Sequence, residues 1–324
     1  AKVLLLDEHS TVGLPCHDTG WLIETKFTDK ILTTLRGKLV LRRVKGFKIC
    51  NALTGNVLED IKNQKLGHLT PRADFDKELA KLAINAGAEL ILNARVTSFL
   101  RSKGKVSGVI TSSKSIPKVE SDITVCATGA AILNSPLAMS SFKDKPVPGV
   151  LTELTKVDGF EGGVVEIYKS SDKRILSDAF FWPHSSDTCF SGFPSLKRFD
   201  DFKKDERIAF SYKIRNAYPV QAHGYVTSFH GGRAFKRIVD GGVMYVGEAA
   251  GASGTIHSMI MGQYAGEVAA KAVQEGDTSS ERLSEYQEIF KRSDICKSPF
   301  YWYFIKEFYG SYRRCLSQFR KIEV

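Results

Sequence analysis

The sequence predicts an α/β fold in two lobes with a helical C-terminal segment, and three observations carry that expectation. Uninterrupted apolar runs at 3–6, 123–127 and 242–247 have the form of strands buried on both faces, as parallel sheets require. The stretch from about 149 to 239 instead carries short strand-like runs with few helix signals, the pattern of a second, sheet-based lobe. From Ser279 onward the pattern is helical to the end.

The first strand, 3–6, runs into Asp7 and then a glycine-containing loop from His9 to Gly20. The sequence has no initiator Met and opens on a core strand, which leaves one edge of its sheet unaccounted for. An upstream strand and helix are therefore expected to be missing. From Asp29 to Thr70, runs at 39–41, 47–49 and 56–58 alternate with turn residues such as Thr54 and Gly55 and read as small antiparallel strands. Pro71 to Ala83 follows, with Phe75, Leu79 and Leu82 on one helical face, Asp74 as N-cap and Gly87 as the stop. Strands are expected at 88–96, 106–111 and 123–127, the last buried on both faces.

In the second lobe, strands are expected at 163–168, 179–182, 188–193 and 224–229, with helical character confined to the charged segment 197–212. The strand at 242–247 restores the buried pattern, and a helix rich in Ala, Gly and Met spans 256–275. The expected domains are 1–30 with 70–148 and 240–277, then 31–69 with 149–239, then a helical segment 278–324.

Composition narrows the function classes. With 43% hydrophobic and 25% charged residues over 324 positions, the chain is long and apolar enough to bury a core. No run approaches the roughly 18 apolar residues of a spanning helix, and the opening residues lack a signal-peptide core. A cytoplasmic protein is expected, with a peripheral membrane contact as its variant. Lys and Arg number 46 against 36 Asp and Glu, a formal charge of +10 that favours an anionic partner; a solvated basic surface is the equal alternative. Cys16, Cys50, Cys126, Cys189, Cys296 and Cys315 lie far apart, with no CxxC pair and no zinc spacing, so free thiols are expected and metal is not. A Cys296–Cys315 bridge stays open.

Three turns carry candidate chemistry. Asp7, at a strand tip, suits the two hydroxyls of an adenine-linked ribose, or else caps its strand. The step Ala127-Thr128-Gly129-Ala130 allows close backbone approach to a dinucleotide, as any tight turn after a core strand would. The run Gly247-Glu248-Ala249-Ala250-Gly251-Ala252-Ser253-Gly254-Thr255 joins a strand to a helix N-terminus, where free backbone donors and the helix dipole favour phosphate oxygens and Glu248 reaches a sugar hydroxyl. Its alternative is close helix-to-strand packing through small residues.

The last segment sets Phe300, Phe304, Phe308 and Tyr312 four residues apart, and eight basic face three acidic residues between Lys291 and Val324. An interfacial helix on anionic lipid, a greasy channel with a basic mouth and an aromatic core helix all fit; no nucleic-acid module accompanies it. His17 and His257 are single histidines, each a contact to flavin or substrate phosphate or else structural. No Ser-His-Asp order or paired-carboxylate spacing stands out.

Taken in order along the chain, these elements resemble flavin-dependent oxidoreductases of the para-hydroxybenzoate hydroxylase type, and within them the geranylgeranyl reductase family. The resemblance rests on the strand to Asp7 with the loop Gly13-Leu14-Pro15-Cys16-His17-Asp18-Thr19-Gly20, on Arg72, Phe75, Asp76 and Leu79 in the register of an Arg-x-x-Phe-Asp-x-x-Leu segment, on Ala127 to Ala130, and on Gly247-Glu248-Ala249-Ala250-Gly251. It runs from residue 1 to about 275. Three departures accompany it: no N-terminal GxGxxG unit, Glu248 where the family has Asp, and a shorter loop from Gly251 to Ile256.

The resemblance implies a Rossmann-like FAD-binding domain, an antiparallel-sheet substrate domain, and reduction of isoprenoid carbon–carbon double bonds on a lipid or diphosphate. It implies FAD contacts at Asp7, Cys16, Arg72, Ala127, Thr128, Gly129, Gly247, Glu248, Gly251, Gly254 and Thr255, and substrate contacts at Phe180, Trp182 and His257. It makes Cys16 the candidate catalytic residue and proton donor, and NAD(P)H or ferredoxin the electron donor. An isoprenoid or lipid substrate and an anionic membrane surface are the implied partners. A flavin-dependent monooxygenase or hydroxylase shares the scaffold, and a non-catalytic lipid-binding protein is the reading from another class.

Overall fold

The computed structural model describes residues 1–16, 18–35, 39–62, 66–129, 136–137, 147–169, 179–193, 196–227, 238–240, 242–252 and 254–293. His17, Ala130, Ser253, Cys296, Cys315 and the aromatic segment from Pro299 to Tyr312 lie outside them. The chain divides into two compact units. The first comprises 1–14, 73–147 and 226–303; the second comprises 15–72, 148–225 and 304–324.

In the first unit the strand Leu4–Leu6 pairs in parallel with Glu89–Ile91. Val3 is 50% and Leu4 36% exposed, so this strand is not the buried one its apolar run predicts: among the described residues it has a single strand neighbour. A second parallel pair joins Thr124–Cys126 to Val243–Tyr245, with Val239–Asp240 antiparallel on the outside. Burial on both faces holds for Val243–Tyr245 but not for Thr124–Cys126, where Cys126 is buried and Val125 is 42% exposed. A three-stranded antiparallel sheet, Val96–Ser102, Lys105–Thr111 and Lys118–Glu120, completes the strands. The single strand expected at 88–96 is broken, because Asn93 takes a left-handed conformation and the chain restarts at Val96.

The helix Arg72–Asn85 buries Phe75 and stops before Gly87, at φ +97°. It begins three residues earlier than Asp74 requires of an N-cap; Asp74 sits in the first turn and accepts a hydrogen bond from Lys77 Nζ at 3.2 Å. The long helix Thr255–Glu275 buries Ile256, Ile260, Met261, Ala265, Val268 and Ala272 at helical spacing. The helices Ser280–Leu283 and Glu285–Arg292 follow, and Tyr286 donates to the Tyr245 carbonyl at 2.8 Å, tying Glu285–Arg292 to the central strand.

The second unit is built on a seven-stranded sheet in the order Tyr218–Thr227, Val147–Thr155, Thr188–Phe193, Ala179–Pro183, Val164–Lys169, Gly46–Asn51 and Val57–Lys62. One face carries Leu154, Tyr168, Phe181, Cys189 and Phe193 into a core with Phe199, Phe202, Phe210 and Ile214. Phe199 and Phe202 belong to the helix Leu196–Lys204, and Ile214 to Ser211–Ile214, so the helical segment expected at 197–212 is two helices with a break between them. A small sheet of Trp21–Leu22, His68–Leu69 and Arg42–Arg43 lies in the same unit. The strand expected at 39–41 is thus displaced to Arg42–Arg43. The region from Asp29, expected as strands, instead lies in a helix, Lys26–Thr34, capped by Thr25, whose Oγ1 accepts from Thr28 N at 3.0 Å.

Candidate functional site

The parallel pairing of Thr124–Cys126 with Val243–Tyr245 sets Cys126 opposite Tyr245, and Val246 N donates to the Cys126 carbonyl at 3.0 Å. Both chains therefore leave the sheet at the same edge, the carboxyl ends of adjacent parallel strands, where α/β folds bind ligands. The register brings the turn at Ala127, Thr128 and Gly129 and the loop from Gly247 to Thr255 to that one edge. Ala127 and Thr128 are exposed, and Glu248 is the one residue from Gly242 to Ala250 that is not buried. Cys126 is buried, and its Sγ lies 3.4 Å from Thr128 Oγ1, which pins the turn.

The glycines of this loop have different physical reasons. A Cβ on Gly247 would meet Ser258 Oγ at 2.8 Å, so there glycine serves close packing against the helix Thr255–Glu275. At Gly254, φ is +90° and a Cβ would meet only His257 Nδ1, at 3.7 Å: the conformation demands glycine while the space beside it is open. Gly254 is also the N-cap and supplies no side-chain hydrogen bond, so the first N–H groups of a 21-residue helix are uncapped by any side chain of that position. These features fit a phosphate-bearing dinucleotide such as FAD. His257 is buried beneath this loop. Asp7 sits on the other parallel sheet of the unit and shares no strand pairing with the two turns. Its Oδ1 accepts from His9 N at 2.8 Å and lies 2.9 Å from His9 Nδ1.

In the second unit, Cys16, Asp18, Gly20, Thr70 and Arg72 form one hydrogen-bonded cluster. Cys16 Sγ donates to the Asp18 carbonyl at 3.4 Å, Asp18 Oδ1 accepts from Gly20 N at 2.7 Å, and Asp18 Oδ2 lies 3.2 Å from Arg72 Nη1. Gly20 in turn receives both Thr70 N and Thr70 Oγ1 on its carbonyl, each at 2.9 Å. Burial pushes the thiols of Cys126 and Cys189 up and that of Cys50 up to about 11, which keeps them protonated and inert. Among the described cysteines, Cys16 alone is not buried.

Above the opposite face of the seven-stranded sheet, Trp21, Phe47 and Trp182 pack ring on ring, with centroids 5.0 to 5.5 Å apart. Phe180 belongs to the same face, its ring lying where a Cβ on Gly192 would be. Trp182 Nε1 is buried with no hydrogen-bond partner, in aromatic surroundings fit for a hydrocarbon rather than for water.

No family model matches the chain. It is 27% identical over 314 residues to digeranylgeranylglycerophospholipid reductase 1 of Methanosphaera stadtmanae, an alignment covering 90% of this chain and 74% of the relative. Among solved structures, a geranylgeranyl bacteriochlorophyll reductase-like protein of Thermoplasma acidophilum matches with a TM-score of 0.74 at 19% identity, over 90% of this chain and 77% of that one. The flavin-dependent brominase Bmp2 matches with a TM-score of 0.67 at 16% identity, over 96% and 83%. Over most of its length the chain is similar to proteins named as geranylgeranyl reductases. The fold is shared with these two solved structures.

In this chain the sequence motifs mark the turns and miss their supports. Asp18 joins the Cys16 loop to Arg72, yet nothing in its local sequence sets it apart from a turn aspartate. Trp21 and Phe47 reach Trp182 only through strand pairing, and neither belongs to a motif. No described helix is long and apolar enough to cross a membrane.

Proposed function

We propose that this protein reduces carbon–carbon double bonds of geranylgeranyl chains carried by a lipid, using FAD. The observation that carries the reading is the 27% identity to a digeranylgeranylglycerophospholipid reductase across 90% of the chain. The glycine turns of the first unit and the aromatic face of the second support it, one suited to a dinucleotide and the other to an apolar chain. When bound, FAD in its reduced form supplies hydride to the alkene.

In this reading Glu248 and Asp7 accept hydrogen bonds from sugar hydroxyls. The backbone at Ala127, Thr128, Gly129, Gly247, Gly251, Gly254 and Thr255 approaches the cofactor's phosphate and ribityl portions. Arg72, held by Asp18, offers its guanidinium to the cofactor, and Cys16 is the catalytic side chain that meets the reacting part. Phe180 and Trp182 hold the chain, with His257 beneath the glycine loop. NAD(P)H or ferredoxin reduces the flavin, and the basic surface brings the protein to an anionic bilayer where its substrate lies.

The test starts from protein expressed from its complete reading frame. Flavin absorbance and anaerobic saturation of a geranylgeranyl glycerolipid by the reduced protein are the expected results. Oxygen-dependent NAD(P)H consumption stimulated by an aromatic compound would identify a monooxygenase. A colourless protein that gains no flavin spectrum on addition of FAD would leave only a lipid-binding role.

A further inference from the structure

Saturating an isolated alkene takes a proton as well as a hydride, and a hydrocarbon has no basic atom to draw that proton from bulk water. The acid must stand at an apolar face and still be refilled from solvent. The seven-stranded sheet holds such a pair. Its register sets Glu153 opposite Phe190 and Phe190 opposite Trp182, so these three side chains share the aromatic face. His184, two residues beyond Trp182, stacks on Phe190 with ring centroids 4.6 Å apart and planes 11° from parallel.

The His184 side chain is 10% exposed, and its Nε2 is buried without a hydrogen bond, 3.6 Å from Glu153 Oε1. Glu153 is 24% exposed and reaches outward: its Oε2 accepts from Gln221 Nε2 at 2.7 Å on the strand Tyr218–Thr227, at the edge of the sheet. Arg42 Nε donates to the His184 carbonyl at 2.8 Å and fixes the backbone that carries the ring. A nearly buried imidazole against aromatic rings is thus coupled to a carboxylate in touch with water.

We propose that Glu153 and His184 are the proton-delivery pair of alkene reduction, His184 giving its proton to the substrate carbon and Glu153 restoring it from solvent. This rests on the reductase reading above. In the step, an N–H bond of the imidazolium breaks and a C–H bond forms at one alkene carbon from the π electron pair. The tertiary carbon left positive takes the hydride supplied by reduced flavin, which loses two electrons, and the neutral imidazole regains a proton from water by way of Glu153. A chain with successive double bonds repeats this demand, and a solvent-linked pair meets it each time.

The experiment compares wild type, His184→Gln, His184→Ala and Glu153→Gln as flavin-loaded, dithionite-reduced protein acting anaerobically on a geranylgeranyl glycerolipid in H2O and D2O. His184→Gln is expected to slow saturation on the order of a hundredfold or more while leaving the flavin spectrum intact. Added imidazole is expected to restore part of the rate to His184→Ala, a rescue that a packing role would not give. Without any lipid, the His184 ring resonances in proton–carbon NMR are expected to titrate at lower pH in Glu153→Gln than in wild type. Wild-type rates in His184→Gln, or a His184 titration indifferent to Glu153→Gln, would overturn the pair. A yellow wild-type protein that leaves the lipid unreduced would instead overturn the reductase reading, and with it the substrate assigned to the pair.

Discussion

Burial governs the acid–base behaviour of individual side chains here. His68 and His184 are both held below the ordinary histidine value of 6.5, chiefly by desolvation; Arg43 adds to the effect at His68, while Glu153 and Asp187 oppose it at His184 and Arg42 reinforces it. For a histidine lowered in the fold, the unfolded chain takes the proton first. The folded state therefore keeps its full stability above about pH 6.5 and loses it as the pH falls below that value. Denaturant melts recorded from about pH 7.5 to 5 are expected to show a decline through that window, smaller in His68→Gln and in His184→Gln than in wild type.

The same unit holds a buried ion pair with a narrower role. Lys213 Nζ lies 2.9 and 2.7 Å from the two oxygens of Glu166, Tyr168 donates to Oε2 at 2.6 Å, and Lys213 also stands over the Phe160 ring. Both charges are paired and each carboxylate oxygen accepts a hydrogen bond, so the pair pins the helix Ser211–Ile214 to the sheet. Lys213→Ala leaves a buried carboxylate without its cation and is expected to cost about 3–5 kcal/mol in chemical denaturation. Glu166→Gln combined with Lys213→Met removes both charges and is expected to recover most of that loss.

At the scale of elements, legibility follows the range of the signal. The helix Thr255–Glu275 and the strands Val243–Tyr245, Val164–Lys169, Ala179–Pro183 and Thr188–Phe193 announce themselves locally, by apolar periodicity and by the glycines that bound them. The helix Lys26–Thr34 was not legible as such, because its polar residues and short length imitate a turn-rich strand region. What makes it a helix is the Thr25 cap and the burial of Thr28 and Leu32 against the rest of the unit. Thr25→Ala is expected to cost about 1 kcal/mol, read as a shift of the urea midpoint with unchanged slope.

The candidate site divides along the same line. The turn at Thr128 and the loop from Gly247 to Thr255 are visible because glycine and small residues are concentrated in sequence. Glu153 and His184 stand 31 positions apart; only the pairing of Leu154 with Cys189 and of Pro183 with Cys189 sets their strands on either side of Thr188–Phe193. No local pattern encodes that register.

At the scale of the whole molecule, a ligand that binds only the folded chain adds its binding free energy to stability. A dinucleotide gripped at the carboxyl ends of Thr124–Cys126 and Val243–Tyr245 would bridge segments far apart in sequence, so unfolding either strand would release it. At free FAD a hundredfold above its dissociation constant, the gain is about 2.7 kcal/mol, and the thermal midpoint of the wild-type protein is expected to rise with FAD concentration. Gly254→Val places a β-branched side chain at φ +90° and fills the open side of the loop before the helix Thr255–Glu275. The variant's own midpoint falls from backbone strain alone, so the informative quantity is the increment on adding FAD. That increment is expected to shrink or vanish in Gly254→Val and to persist in Thr25→Ala, whose helix belongs to the other unit. An equal increment in all three proteins would place the flavin away from this loop.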